Sequence, residues 1–193
     1  MKRILSLTLA FSLATILSAR STDEAGTPYR GWKKGEMDIH HIYTGRGEAN
    51  FYIFPDGTSM LIDTGDHLAS VPMTDPKPDL SRRGGEWVAR YIERVNPAGR
   101  EVDYMMLSHF HNDHMGTAAE PATMTTDRDP NYYLAGIAEA GEFLRFDMLY
   151  DRGYPDYNYP FPINDKHVAN YLAFANYHKA NYGMQQEKFE VGE

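Results

Sequence analysis

From residue 37 to 43 apolar and polar side chains roughly alternate, with Met37, Ile39 and Tyr43 in phase, residues 49–54 form a second largely apolar run, and Met60-Leu61-Ile62 adds a third. Alternation of that period predicts strands. Gly45-Arg46-Gly47-Glu48 separates the first two runs, and Pro55-Asp56-Gly57-Thr58 predicts a tight hairpin turn between the second and third. The period then changes. Trp87, Tyr91 and Val95 recur every fourth residue with Val88 and Ile92 beside them, which predicts an amphipathic helix stopped by Asn96-Pro97-Ala98-Gly99. Residues 102–108 predict a buried strand. Beyond it the pattern predicts helices over 133–146 and 165–182, the second with Val168, Leu172, Ala175 and Tyr182 along one side. A short strand is expected at 148–150, and residues 187–193 read as the start of a last strand reaching a turn. Segments 67–83, 120–131 and 153–162 are rich in proline, threonine or glycine and read as loops.

The first 21 residues stand apart. Met1-Lys2-Arg3 is a basic start, the run from Ile4 to Leu17 is largely apolar, and Ser18-Ala19-Arg20-Ser21 closes it. That order describes a secretory signal peptide, and the run is short for a membrane span. The expected organisation is a signal peptide over 1–21, an extended lead-in over 22–36 and one domain over 37–193. Cleavage would leave no retained transmembrane segment and a secreted or periplasmic chain.

Composition narrows the chemistry. The 193 residues hold 27 acidic and 19 basic side chains, a formal charge of −8, and no cysteine. Without cysteine there is no disulfide scaffold, thiolate metal site or cysteine nucleophile. Residues 1–21 carry three of the basic side chains and no acid, so a mature chain is more acidic still. That balance gives no footprint for nonspecific nucleic-acid binding. Nine of the 14 tyrosines fall between Tyr132 and Tyr182. They read as a half-exposed packing layer or, alternatively, as an aromatic binding surface.

The chemistry concentrates at the end of the 102–108 strand, in Ser108-His109-Phe110-His111-Asn112-Asp113-His114-Met115-Gly116. Neutral imidazoles and a carboxylate are good ligands for zinc, and a loop leaving a strand end lets them converge. His109 and His111 can face one metal, and Asp113 and His114 an adjacent one. Asp113 is also a candidate catalytic residue, able to hold an attacking water and pass on its proton. Four protein ligands leave two such sites incomplete.

This motif resembles the metal-binding signature of the metallo-beta-lactamase superfamily. Gly47-Glu48-Ala49-Asn50, Pro55-Asp56-Gly57 and Leu61-Ile62-Asp63-Thr64-Gly65 resemble, in order and spacing, the N-terminal half of that family's sandwich. The resemblance is close over residues 37 to 118 and looser elsewhere. It implies an α/β (α+β) fold, a metallo-beta-lactamase-like αββα sandwich that is incomplete in this chain. It also implies zinc-dependent hydrolysis with two zinc ions, the first on His109 and His111 and the second on Asp113 and His114. In that scheme Asp63 supports the site through hydrogen bonds and Gly65 lets the backbone turn beneath the metal loop. The expected substrate is a small molecule or phosphoester: a phosphodiester, lactone, thioester or β-lactam. The glycine and Pro-Asp-Gly pattern is most similar to the exported or membrane-competence branch, which is associated with nucleic acid or phosphoester substrates.

The family's later ligands have no clear counterpart. After His114 only His167 and His178 remain, both within the expected 165–182 helix and read as ordinary helix-surface residues. Asp147 and Asp151 are weak candidates for a bridging carboxylate. Two alternatives therefore stand beside the enzyme: a catalytically incomplete superfamily fragment with one sheet face uncovered, and an extracellular binding module using the tyrosine-rich surface.

Overall fold

The chain divides into Met1–Arg30 and Gly31–Glu193. A computed structural model describes residues 25–68 and 70–190, so the expected signal segment lies outside the described residues. Residues 25–30 form a turn and an extended stretch.

In the larger unit the element order is β1 (Asp38–His41), β2 (Asn50–Ile53), β3 (Ser59–Ile62), α1 (Gly84–Val95), β4 (Glu101–Met106), α2 (Asn112–Met115), β5 (Thr123–Met124), β6 (Tyr133–Leu134), α3 (Ile137–Phe143), β7 (Arg145–Asp151), α4 (Lys166–Tyr182) and β8 (Gln185–Lys188). Six strands form one mixed sheet in the order β1-β2-β3-β4-β7-β8, and β5 and β6 pair separately. The first three strands are an antiparallel meander, and β3, β4, β7 and β8 run parallel. This is an α+β fold of the expected class.

The topology determines where the helices lie. Each parallel step, from β3 to β4 to β7 to β8, moves the same way across the sheet. Right-handed crossovers then deliver all the connecting helices to one face. Side chains agree: Tyr91 of α1 meets His40 of β1 at 3.0 Å, and Tyr171 of α4 donates to Asp151 of β7 at 2.6 Å. The register His40, Phe51, Leu61, Met105, Leu149, Gln186 crosses the whole sheet on that face. Phe51, Leu61, Met105 and Leu149 are completely buried there against Val88, Ile92, Val168 and Phe174. The next register, Ile39, Tyr52, Met60, Tyr104, Met148, Gln185, lies on the opposite face, and none of its members is buried. The described residues thus form one sheet with one helical layer, half of the layers in the expected sandwich. None of the described helices is long and apolar enough to cross a membrane.

Helix ends are built from identifiable caps. Asp165 accepts from the backbone N–H groups of His167 and Val168 at 2.7 and 3.2 Å, which starts α4, and Gly183 ends it in the left-handed region. No side chain caps α1 locally. Its Gly85 N–H is instead taken at 2.9 Å by Glu139 of α3.

Three expectations are corrected. The helix expected over 133–146 is only Ile137–Phe143: Tyr133–Leu134 pairs with β5, and Arg145–Asp151 is a central strand rather than the short 148–150 segment. Hydrogen bonding to β4 on one side and β8 on the other overrides its helical look. The buried stripe of α4 is Val168, Tyr171, Phe174, Ala175 and His178, rotated from the expected one, so Tyr182 is exposed. His178 is therefore no surface residue. It is 1% exposed, its ring lies 4.2 Å from that of Phe174, and burial with Arg145 and Arg128 nearby lowers its pKa to about 3. The tyrosines divide similarly: Tyr132, Tyr157 and Tyr171 are buried, whereas Tyr159 is exposed.

One-sided cover makes a sharp mutational contrast. Leu61→Ala should cost about 2–5 kcal/mol in urea unfolding, the usual cost of a cavity under a packed helix. Met60→Ala, one residue away on the open face, should cost under about 1 kcal/mol. Equal losses would mean that both faces are packed.

Candidate functional site

The site is built where β3 and β4 end side by side. Both chains leave the sheet at its carboxyl edge, the usual place for a site on parallel strands. β3 leads into Asp63, whose φ of 56° is left-handed, a conformation that aspartate tolerates better than most residues. Asp63 is 1% exposed, and its carboxylate accepts from Ser108 N–H at 2.8 Å, Ser108 Oγ at 2.5 Å and His114 Nδ1 at 2.7 Å. One buried carboxylate thus ties the start and the end of the histidine loop to β3. Thr64 N–H donates to the His114 carbonyl at 3.2 Å, and buried Met115 anchors the short α2. Gly65 must be glycine: its φ is 59° and a Cβ there would strike Thr44 and the Arg46 carbonyl.

The three imidazoles converge. The ring centroid of His109 lies 3.9 Å from that of His114 and 4.5 Å from that of His111. Ser108 Oγ is 3.0 Å from His109 Nδ1, and His109 Nε2 is 3.0 Å from His111 Nδ1. A single proton assignment satisfies the chain: His114 and Ser108 donate to Asp63, His109 Nδ1 donates to Ser108, and His111 Nδ1 donates to His109 Nε2. It leaves lone pairs on His111 Nε2 and His114 Nε2. Burial, then the neighbouring imidazoles of His114 and His111, lower the His109 pKa, favouring the neutral ring. Asp113 Oδ2 sits 4.0 Å from His114 Nε2.

In donor type this set fits zinc: neutral imidazoles, one carboxylate, and a ligating histidine held through its other nitrogen by a buried carboxylate. In arrangement it is not closed. Among the described residues no group of three or more His, Asp or Glu side chains is disposed to hold a metal ion. The physical reason is that His109 Nε2 and His111 Nδ1 are spent on each other.

A second buried carboxylate, not singled out from the sequence, holds the other end of the loop. Asp66 is completely buried and accepts from Thr117 N–H at 2.6 Å, His67 N–H at 2.8 Å and Arg83 Nη2 at 3.0 Å. Arg83 Nε also lies 3.6 Å from Glu139, an ion pair too long for a hydrogen bond. Two buried carboxylates therefore share one guanidinium. Burial, partly offset by Arg83, raises both carboxyl pKa values, that of Glu139 to about 7. Arg46, also missed, donates to Asn112 at 2.9 Å, and Gly47 presses on the Asp113 backbone so closely that a Cβ has no room. Asp66 follows Asp63 by three residues, a spacing that could have flagged it; Arg46 and Ser108 carry no such signal.

His167 accepts from Ala118 N–H at 2.8 Å, next to the loop's exit, and its pKa is lowered by burial. Asp147 is exposed. Asp151 is buried and accepts from Gly153 and Tyr154 N–H, Tyr157 and Tyr171 hydroxyls and Gln186 Nε2, all within 2.9 Å, so its lone pairs are taken by the fold.

The site is thus a histidine loop at the carboxyl edge of a mixed sheet, clamped by two buried aspartates. Residues 44–122, less than half of the chain, are similar to the family model of the metallo-beta-lactamase superfamily. No curated protein matches the chain.

The shared guanidinium yields a pH test. A carboxyl raised from 4.5 to about 7 on folding gives stability that is full below pH 4.5 and lost as pH rises through about 7. Glu139→Gln should remove that decline, up to about 1.4 kcal/mol per pH unit within the window. Parallel unfolding curves for the two proteins from pH 5 to 8 would show Glu139 to be ordinary.

Proposed function

We propose that this chain is a zinc-dependent hydrolase, with His109 and His111 holding one metal position, and Asp113 and His114 a second beside it. The observation that carries the reading is the Asp63–His114 contact at 2.7 Å, part of a buried clamp that also fixes Ser108. A carboxylate that holds Nδ1–H orients Nε2 and raises its basicity, which is the usual support for a metal-binding histidine. Zinc held there would act as a Lewis acid on a carbonyl or phosphoryl oxygen of the substrate.

The chain's own residues do the rest. Asp63 keeps His114 in the Nδ1–H tautomer, so its free lone pair lies on Nε2. Ser108 relays the same carboxylate to His109. Rotation of His111 about its side-chain bonds would free His109 Nε2, at the cost of one partly exposed hydrogen bond. Asp113, half-exposed on α2, is the carboxylate available to take a proton from an attacking water. A leader over residues 1–21 would deliver the domain outside the cytoplasm. The substrate class is a hydrolysable acyl or phosphoryl compound: a phosphodiester, lactone, thioester or β-lactam.

Zinc titration of the metal-free protein by calorimetry tests the reading. At least one zinc per chain should bind, and His109→Ala with His111→Ala should abolish it. Asp63→Asn should weaken binding about 10- to 100-fold while far-ultraviolet circular dichroism stays native. Hydrolysis of a chromogenic member of the substrate class should vanish with chelator and in Asp113→Asn. No zinc uptake, or uptake indifferent to these changes, would end the proposal.

A further inference from the structure

We propose a second site, independent of the histidine loop: the groove between α1 and the chain leaving β1 binds a small organic anion with a flat apolar body. The groove measures about 490 Å3, within the range of small-ligand sites. Its walls are Ile42, Tyr43, Trp87 and Tyr91, with His41 also in the lining, and its cations are Lys77, Arg90 and Arg94. No acidic residue lines it.

The state of the cations carries the argument. Arg90 is already held by Glu86 at 2.7 Å, as is Arg82, which also covers the Trp87 ring at 4.9 Å. Lys77 and Arg94 form no ion pair among the described residues. In a chain with 27 acids against 19 bases, two free cations over an aromatic wall are an unneutralised positive spot. Aromatic faces offer area to a flat ring, and the two cations offer charge to a carboxylate or a phosphate ester at its edge. The low-dielectric wall strengthens that attraction relative to open surface.

Position gives the groove a context. β1 runs parallel to β3, so His41 ends its strand at the sheet edge from which Asp63 and the histidine loop depart. The chain from Tyr43 to Gly47 then runs from the groove to the Asp113 backbone. An anion in the groove therefore sits against the segment that abuts the candidate metal loop. Its binding does not require metal there.

Calorimetry on the full chain with 1-naphthoate, 1-naphthyl phosphate and neutral 1-naphthamide tests this. One anion per chain should bind, quenching Trp87 fluorescence, and the amide should bind at least about tenfold more weakly. The double variant Lys77→Gln, Arg94→Gln should lose at least tenfold in affinity with an unchanged melting temperature. A Trp87→Phe variant should lose the fluorescence change and part of the affinity. Preference for naphthoate would assign a carboxylic acid, preference for naphthyl phosphate a phosphate ester, and equal binding an anion of either kind. No binding of either anion, equal binding of the amide, or an unaffected double variant would overturn the inference.

Discussion

The site depends on the burial of one carboxylate. A carboxylate with 1% exposure is costly unless hydrogen-bond donors replace the water it loses. Every side-chain contact recorded for Asp63 comes from the loop after β4, through Ser108 and His114. The end of β3 can therefore be buried only if that loop closes over it, and closing the loop brings His109, His111 and His114 together. The left-handed backbone at Asp63 adds about 1–2 kcal/mol of cost for an ordinary residue, which these charge-assisted bonds offset. Asp66 repeats the device at the loop's exit through Thr117. Two aspartates three residues apart thus set both ends of one functional loop.

The sheet explains why the loop is so placed, and it carries a second message. Successive parallel strands stepping one way place all helices on one face and gather the carboxyl ends of β3, β4 and β7 at one edge. Strands with a single covered face normally alternate apolar with polar residues. Here Met60-Leu61-Ile62 and Tyr104-Met105-Met106 are apolar on both sides. Such runs belong to strands meant to be covered on both faces. The patch around Phe54, Met60, Tyr104 and Tyr150 is the consequence, an apolar hollow on the bare face.

Much of this was legible in the sequence because local chemistry and tertiary environment agreed. Pro55-Asp56-Gly57 made its turn and the fourfold spacing of α1 made its helix, since nothing in the fold opposed either. The histidine cluster from Ser108 to Gly116 could be picked out because its residues are contiguous, whereas a supporting part for Asp63 came only from the family resemblance. Legibility failed where partners are distant. Whether residues 145–151 become a strand is decided by β4 and β8, not by their own propensity. The burial of His178 depends on the tilted Phe174 ring and the edge-on Tyr182 ring against it, and no helical period reports which neighbour will cover a face. The same holds for Arg83, whose two carboxylate partners are 17 and 56 positions away.

Net charge, by contrast, was readable but speaks only to the whole molecule. A formal −8 argues against a broad polyanion, because the long-range field that gathers one is the sum over all charges. Over about 8–10 Å, the screening length at ordinary salt, only local charges matter. Arg83 lies between Asp66 and Glu139, and Arg128 bonds Glu142, so both are neutralised where they stand. Lys77 and Arg94 are not, and they share a concave wall with Trp87 and Tyr91. An acidic surface then acts as a filter: it repels long polyanions at a distance, yet leaves a short anion free to reach the two cations that line the groove. Selection by size of the charged ligand follows from that arrangement, without any change in the sign of the overall field.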